Sequence, residues 1–272
     1  MVVTEPALLT DRDFARVRQL IQEYAGISLS EQKRNMVYNR LRRRLRIHGE
    51  IAFAPYLDRV QAADSDEREA FVNALTTNLT SFFREPHHFD LLAARARAQQ
   101  HAPGGAMRIW SAGCSTGEEA WSAAMVMREA AVRAEILATD IDSEVLRTAQ
   151  AGVYAAERVQ SVPPERLRRH FLRGVGANDG FVSLRPELRA MVSFAQVNLQ
   201  APAWPVGSRF DVIFCRNVVI YFDREMQQRL AERFAVLLAP GGLLLVGHAE
   251  SFPATNPAFR SCGRTAYERR DS

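Results

Sequence analysis

The first part of the chain carries apolar side chains at helical spacing. Between Asp11 and Tyr24 they fall on one face of a helix, and Thr10 precedes this segment as a candidate N-cap. The segment Lys33–Arg46 repeats the spacing, and shorter helices fit residues 53–62 and 67–75. The apolar positions of the two longer segments are Phe14, Val17, Leu20, Ile21, Val37, Leu41 and Leu45. The pattern therefore predicts an all-helical N-terminal region.

After a polar stretch at residues 99–105, short apolar runs alternate with helical segments. The runs are MRIWSAG (107–113), AEILATDI (134–141), RFDVIFCR (209–216) and GGLLLVGHA (241–249). Such alternation is typical of a parallel sheet with helices on both faces. We therefore expect a doubly wound, Rossmann-like α/β domain that binds its ligand beyond the carboxyl ends of the strands.

The first of these strands leads into a loop of small residues. Gly113–Gly117 would let a ligand approach the backbone, and Asp140 ends the second strand twenty-three positions after Gly117. An acid at that place is well positioned to accept hydrogen bonds from a ribose. Dinucleotide enzymes and methyltransferases share this arrangement, so the loop alone does not identify the cofactor.

Two adjacent carboxylates, Glu118 and Glu119, follow the loop and open the next helix. A cofactor pyrophosphate would lie against the start of that helix, where two carboxylates would repel it. S-adenosylmethionine has no phosphate but carries a sulfonium and an ammonium group, which favour nearby carboxylates. We expect a functional role for Glu118, whereas Glu119 could equally be a surface residue that complements the helix dipole.

Composition excludes several other classes of protein. With 272 residues, 47% of them hydrophobic, the chain can bury a large core. Its three cysteines lie far apart without a CxxC pair, which favours neither a disulfide framework nor a zinc site and fits a reducing, cytoplasmic setting. The sequence shows neither an export leader nor a membrane-spanning run, and we expect neither.

The sequence closely resembles the CheR-type chemotaxis receptor glutamate O-methyltransferases over nearly its whole length. The motifs that carry this resemblance are NLTSFFREPHHF (78–89), WSAGCSTGEEAWS (110–122), ATDID (138–142), VNL (197–199) and FCRNVVIYFD (214–223). It implies a helical N-terminal domain over residues 1–88 and an S-adenosylmethionine-dependent methyltransferase domain over residues 89–272. It also implies an inserted antiparallel β-subdomain, for which we expect residues 171–194.

The resemblance also implies the site residues. Cofactor contacts are expected from Asn78, Thr80, Arg84, Gly113, Glu118, Asp140, Asn198, Leu199, Arg216 and Asn217. Tyr221 would help to position the substrate carboxylate, and of the two arginines in AARARAQQ we choose Arg97 over Arg95 as the second catalytic residue. We expect no metal, because His87 and His88 would need a third ligand and the sequence suggests none.

The implied chemistry needs no general base. A glutamate carboxylate has a reference pKa near 4.3 and is already an anion at neutral pH. An anion and a sulfonium cancel each other's charge in the transition state, so the enzyme mainly positions the reactants and excludes water. An arginine and a tyrosine hydroxyl can orient the carboxylate without protonating it.

The segment Lys33–Arg46 carries seven positive charges and no negative ones. A stripe of Arg40, Arg43, Arg44 and Arg46 would complement the acidic helical bundle of a chemoreceptor. A solvated helix face and an RNA-binding surface are the alternatives. An RNA methyltransferase is the second candidate enzyme, although such enzymes usually carry a (D/N)PPY or Pro-Cys motif where this chain has FCRNVVIYF. A non-catalytic signalling module is the third candidate.

The expected subdomain, residues 171–194, combines turn residues with two strand-like runs, FVSL and MVSF. In the family this subdomain can bind a receptor's C-terminal tail peptide as an added strand. A plain hairpin that only covers the sheet is the alternative. We expect the protein to act as a monomer.

Overall fold

The computed structural model describes residues 8–62, 65–99, 105–207 and 209–270. The chain forms two compact units. The first runs to Thr77 and includes Tyr221–Asp223, and the second holds Asn78–Ile220 and the chain from Arg224 onward. The expected N-terminal range, residues 1–88, included the interdomain segment, and residues 78–88 of that segment group with the second unit by their contacts.

The first unit is helical. Its helices are α1 (Asp11–Ala25), α2 (Arg34–His48), α3 (Phe53–Gln61) and α4 (Glu67–Leu75). Thr10 caps α1 as expected, because its side chain accepts from the backbone N–H of Asp13 and the Asp13 side chain bonds back to Thr10. The apolar stripes of α1 and α2 are buried in a core that includes Phe14, Val17, Leu41, Tyr56 and Phe71.

The second unit is α/β. Its strands are β1 (Met107–Ala112), β2 (Ala134–Asp140), β3 (Val153–Ala155), β4 (Phe171–Arg173), β5 (Phe181–Leu184), β6 (Val192–Gln196), β7 (Phe210–Cys215), β8 (Leu238–Val246), β9 (Phe259–Gly263) and β10 (Ala266–Arg269). Its helices are α5 (His87–Gln99), α6 (Glu118–Glu129), α7 (Ser143–Ala151), α8 (Pro164–His170), α9 (Pro186–Arg189) and α10 (Arg224–Leu237).

Seven of the described strands form one sheet in the order β6-β2-β1-β7-β8-β10-β9. The first five are parallel, and β10 pairs antiparallel with both β8 and β9. The chain continues from β1 to β2 on one side and later returns to β7 on the other. The loops after β1 and β7 therefore separate at a topological switch point, where open α/β sheets bind ligands.

The small sheet has the order β3-β5-β4 and is antiparallel. The expected subdomain, residues 171–194, differs from it at both ends. Val192–Gln196 pairs with β2 in the large sheet, and Val153–Ala155 joins the small one. A strand-like run does not reveal its partner, because pairing is decided by residues far away in the sequence. Among the described residues no helix is both long and apolar enough to cross a membrane.

Candidate active site

The loop Gly113–Gly117 is anchored to the end of β2. The N–H groups of Gly113 and Cys114 both donate to the Thr139 carbonyl at 2.8 Å. Gly113 has a φ of 94°, and a Cβ added there would lie 2.3 Å from the Val218 side chain. Glycine is therefore required at this position, where the loop passes closely under the chain that follows β7.

Asp140 receives two backbone hydrogen bonds in a buried position. Its carboxylate accepts from the N–H groups of Ser115 at 2.8 Å and Asp142 at 3.0 Å. Burial raises the pKa of Asp140 to about 6, against the opposing effect of these bonds. A carboxylate has about four lone-pair positions, so Asp140 keeps acceptor capacity for hydroxyl groups such as those of a ribose.

The segment that begins at Asn78 lies against this loop. The Asn78 side-chain amide donates to Asp142 at 2.8 Å, and the Asn78 carbonyl accepts from the Ser115 hydroxyl at 3.1 Å. Asp142 also caps α7 through the backbone N–H groups of Glu144 and Val145. The structure thus brings the expected residues Asn78 and Asp140 to the same loop.

The rest of this segment is tied to α6. The Phe83 N–H donates to the Ser122 hydroxyl at 3.0 Å, and Ser122 donates to the Glu118 carbonyl. Arg84 is half-buried and donates to the Leu79 carbonyl at 2.7 Å, and Thr80 is also half-buried. Thr80 and Arg84 therefore sit on a stretch that is fixed next to the start of α6.

Glu118 is fully buried in the first turn of α6. Its carboxylate accepts from the Thr116 hydroxyl at 2.6 Å and is paired with Arg158. The Tyr154 hydroxyl donates to the Thr116 carbonyl and closes the same network. Glu118 thus belongs to the loop, as expected, but in this structure its cationic partner is an arginine of the chain.

Glu119 is buried, which excludes the surface role left open by the sequence. Its carboxylate accepts from the Ser111 hydroxyl at 2.6 Å and from the Arg216 Nη1 at 3.0 Å. Burial raises the pKa of Glu119, while Arg216 acts to lower it. The Arg216 Nη2 also donates to the Arg84 carbonyl. Arg216 therefore joins three parts of the site through its guanidinium.

Asn198 and Leu199 follow β6 next to Asp140. The Val197 N–H donates to the Asp140 carbonyl at 3.0 Å, which fixes the start of this stretch. The Asn198 side chain accepts from the Gln200 N–H at 2.9 Å, and Leu199 is buried. Both residues thus lie at the carboxyl edge, and β2 separates their strand from the strand that precedes the loop.

Glu250 organises the loop after β7, and no sequence motif predicted this role. Its carboxylate accepts from the backbone N–H groups of Asn217 (2.8 Å), Val219 (2.7 Å), Ile220 (3.2 Å) and Gly247 (2.7 Å). Glu250 is buried and lies four residues after the end of β8. Its place after a strand end was the one available signal, because ligand-binding loops follow strand ends.

Arg97 does not lie at this edge of the sheet. It is exposed on α5 and lines a groove of about 740 Å³ with Glu129 and Ala130, at the far end of α6. The twelve residues of α6 span about 18 Å, so Glu129 and Ala130 lie at the opposite end of this helix from Glu118. Arg95 instead donates to the Gly241 carbonyl. Arg97 therefore lies apart from the loop residues, since α5 ends at the amino edge of the sheet, and its expected catalytic role stays a prediction that this placement does not support.

Tyr221 ends the short 3₁₀-helix Val219–Tyr221 that follows β7. Contacts group it with the first unit, in which its carbonyl accepts from the Ser28 N–H at 2.8 Å.

Only part of the expected basic stripe is available to a partner. Arg44 makes a bidentate pair with the buried Glu67, at 2.7 and 2.5 Å, and Arg40 donates to the Thr76 carbonyl. Burial acts to raise the pKa of Glu67, but hydrogen bonds, that of Arg44 first, hold it below its usual value. The exposed residues of α2 are Asn35, Asn39, Arg42, Arg43, Arg46 and Ile47.

The side chains at the carboxyl edge fit S-adenosylmethionine. Buried carboxylates at Glu118 and Glu119 are unsuited to a pyrophosphate, whereas they suit a cofactor with cationic groups. Asp140 retains acceptor capacity for a ribose, and the small-residue loop lets the cofactor approach the backbone.

Comparisons with known proteins identify the family of this chain and its relatives. The family described as "CheR methyltransferase, SAM binding domain" matches residues 78–268, and "CheR methyltransferase, all-alpha domain" matches residues 12–76. A chemotaxis protein methyltransferase of Escherichia coli (strain K12) is 47% identical over 97% of this chain and 93% of its own length. Chemotaxis protein methyltransferase 2 of Pseudomonas aeruginosa is 47% identical over 95% of this chain and 93% of its own length. The structure of magnesium protoporphyrin IX methyltransferase from Synechocystis PCC 6803 with bound SAM aligns at 15% identity, with a TM-score of 0.38, over 80% of this chain and 92% of that chain.

Proposed function

This chain belongs to the CheR methyltransferase family, and we infer from that premise that it methylates glutamate side chains of chemoreceptors. It is an S-adenosylmethionine-dependent methyltransferase that acts on chemoreceptors. The products are a glutamate methyl ester and S-adenosylhomocysteine. The observation that carries this function is the buried Asp140, bonded to the loop beside a helix that begins with two buried carboxylates.

The cofactor would supply an electrophilic methyl group, and the protein would bind and orient it. Asp140 would accept the ribose hydroxyls. Glu118, with Thr116, would face the cationic amino-acid part of the cofactor. The Glu118 carboxylate would then bind both this part of the cofactor and Arg158. The loop at Gly113 would border the cofactor. The remaining expected contacts are Asn78, Thr80, Arg84, Asn198, Leu199, Arg216 and Asn217.

The acceptor needs orientation and a dry environment. Its carboxylate attacks as an anion, so no residue of the chain has to remove a proton. The Tyr221 hydroxyl would donate a hydrogen bond to the carboxylate oxygen that does not react. Such positioning lowers the barrier by aligning the oxygen behind the methyl group.

The receptor would dock on the exposed face of α2. Arg42, Arg43 and Arg46 present three positive charges on one side of the helix. They complement the acidic surface of a helical bundle. Because Arg40 and Arg44 are engaged inside the unit, they would support the helix and would not contact the receptor.

A receptor tail peptide would add as a strand to the small sheet. Its outer strand β4 and the turn that follows expose Leu172 (41%) and Val175 (78%), and Phe181 is 47% exposed on β5. An exposed edge with apolar side chains favours strand addition, and such a tether raises the local concentration of enzyme at the receptor. We further propose that the enzyme acts as a cytoplasmic monomer, without nucleic acid as a partner.

Labelled methyl transfer tests this function. The full chain is incubated with methyl-labelled S-adenosylmethionine and a receptor cytoplasmic fragment, and in parallel with RNA. The proposal predicts label in the receptor fragment that mild base releases, because methyl esters hydrolyse readily. Base-stable label in the protein or label in RNA would favour the competing enzyme class. No transfer to either substrate would favour a non-catalytic module.

A further inference from the structure

Three potential metal ligands meet where the segment from Asn78 enters α5. One ligand atom from each of Glu85, His87 and His88 lies within 4.8 Å of the other two. Glu85 therefore offers the third ligand atom that the sequence did not suggest for the two histidines. The loop before α5 folds it back toward them.

The buried side of this cluster contains polar atoms without hydrogen bonds. His88 is fully buried, and its Nδ1 lies 3.7 Å from the Glu85 Oε2. That distance is too long for a hydrogen bond. Neither atom has another hydrogen-bond partner among the described residues. Both atoms are thus buried polar groups whose interactions are incomplete, which proteins rarely leave uncompensated.

The hydrogen bonds on the other side of His88 determine which atoms face each other. The Thr265 hydroxyl donates its one proton to the Arg264 carbonyl at 2.8 Å. In that arrangement the His88 Nε2, 2.9 Å from the Thr265 oxygen, is the N–H donor. The Nδ1 consequently carries a lone pair that points toward a carboxylate oxygen. Two acceptors that face each other in a buried place call for a cation between them.

The net charge around the cluster is compatible with such a cation. Arg216 lies 3.6 Å from the Glu85 Oε2, but it is shared with Glu119, whose carboxylate it meets at 3.0 Å. Two carboxylates and one guanidinium leave one negative charge. A divalent ion is therefore tolerated, although the nearby guanidinium lowers its affinity.

We propose that Glu85, His87 and His88 form a binding site for a divalent transition-metal ion, with Zn²⁺ as the best fit. Two imidazoles and a carboxylate are ligands that Zn²⁺ and Co²⁺ share. Metal–ligand bonds of about 2.0–2.2 Å place tetrahedral ligand atoms about 3.3–3.6 Å apart, so the side chains would draw together by about 1 Å. Water would complete the coordination, and the His87 side, which is half-buried, would admit the ion.

Calorimetric titration of the full chain with ZnCl₂ alone tests this site. The titration uses a Cys262→Ser background, because Cys262 is an exposed thiol that can itself bind zinc. The proposal predicts one Zn²⁺ per chain. It also predicts that Glu85→Gln and His87→Asn each weaken binding by at least about tenfold. The matched control Asp90→Asn, which changes an exposed carboxylate on the same helix, should leave binding unchanged.

The spectrum of bound Co²⁺ provides a second measurement that does not depend on affinity. A tetrahedral site should give intense visible bands that Zn²⁺ abolishes and that the His87→Asn variant lacks. Thermal unfolding of each variant shows whether it is folded. Absence of stoichiometric Zn²⁺ binding, or equal affinity in the folded Glu85→Gln, His87→Asn and Asp90→Asn variants, would overturn the proposal.

Discussion

Protonation of Asp140 should weaken cofactor binding below about pH 6. Burial raises the pKa of this carboxyl to about 6 from an ordinary value of 3.8. Only the carboxylate can accept two ribose hydroxyls in addition to the backbone N–H groups of Ser115 and Asp142. A bound ribose stabilises the charged form, so binding must expel the proton whenever the free protein carries it.

The size and sign of this effect follow from the pKa. Below about pH 6, the dissociation constant for S-adenosylhomocysteine should rise up to tenfold per pH unit, which is about 1.4 kcal/mol per unit. Without cofactor, the folded protein binds more protons than the unfolded chain between about pH 4 and 6. The contribution of Asp140 to stability is therefore fully present at lower pH and is lost as pH rises through about 6, by about 3 kcal/mol in all.

Calorimetry from pH 7.5 to 5.0 measures the dissociation constant for S-adenosylhomocysteine and the stability of the folded protein. Both are compared between the parent protein and an Asp140→Asn variant. The variant should bind S-adenosylhomocysteine more weakly at neutral pH, because an amide has one acceptor oxygen, and its affinity should change little with pH. Other titrating groups, such as the buried Glu119, affect both proteins alike and cancel in the comparison. Equal pH dependence in the two proteins, or a flat profile in the parent protein, would refute the role of Asp140.

Three further predictions concern other parts of the chain. The double variant Arg42→Glu with Arg43→Glu should lower receptor methylation and leave cofactor affinity unchanged, and the loss of methylation should be smaller at high salt. Arg44→Glu should instead lower the unfolding free energy by roughly 3 kcal/mol, because Glu67 loses its buried partner. Glu250→Ala should weaken S-adenosylhomocysteine binding more than Glu250→Gln in calorimetry, because it leaves four backbone N–H groups without an acceptor, and equal affinities would contradict this. Gly174→Ala should abolish binding of a receptor tail peptide, because its Cβ would lie 2.0 Å from the Asn178 carbonyl oxygen; retained binding would argue against docking on this sheet.

The sequence predicted the parts of the site that depend on local rules. Small residues after a strand mark Gly113–Gly117, and an acid at the end of the next strand marks Asp140. In a parallel sheet the carboxyl ends of the strands lie at one edge, so the proximity of these positions followed from their places after strand ends. Helical spacing likewise identified the buried face of α2 from its apolar residues.

Pairings between distant residues could not be predicted in this way. The charge pattern of α2 does not reveal that Arg44 meets Glu67, because α4 supplies the partner only after the helices pack. The position of Arg97 depended on the direction of α5 relative to the sheet. Glu250 acts on backbone groups, which leave no trace in side-chain patterns.

Mass-spectrometric mapping of the transferred methyl group tests the central claim most directly. The full chain, S-adenosylmethionine and a receptor cytoplasmic fragment are incubated, and the fragment is digested under mildly acidic conditions that preserve esters. With the parent enzyme, the account predicts methyl groups on glutamate side chains. With the Asp140→Ala variant, it predicts no methyl groups at a cofactor concentration that is too low for this variant to bind the cofactor. Methyl groups on lysine or arginine side chains, or an unmodified fragment with the parent enzyme, would contradict it.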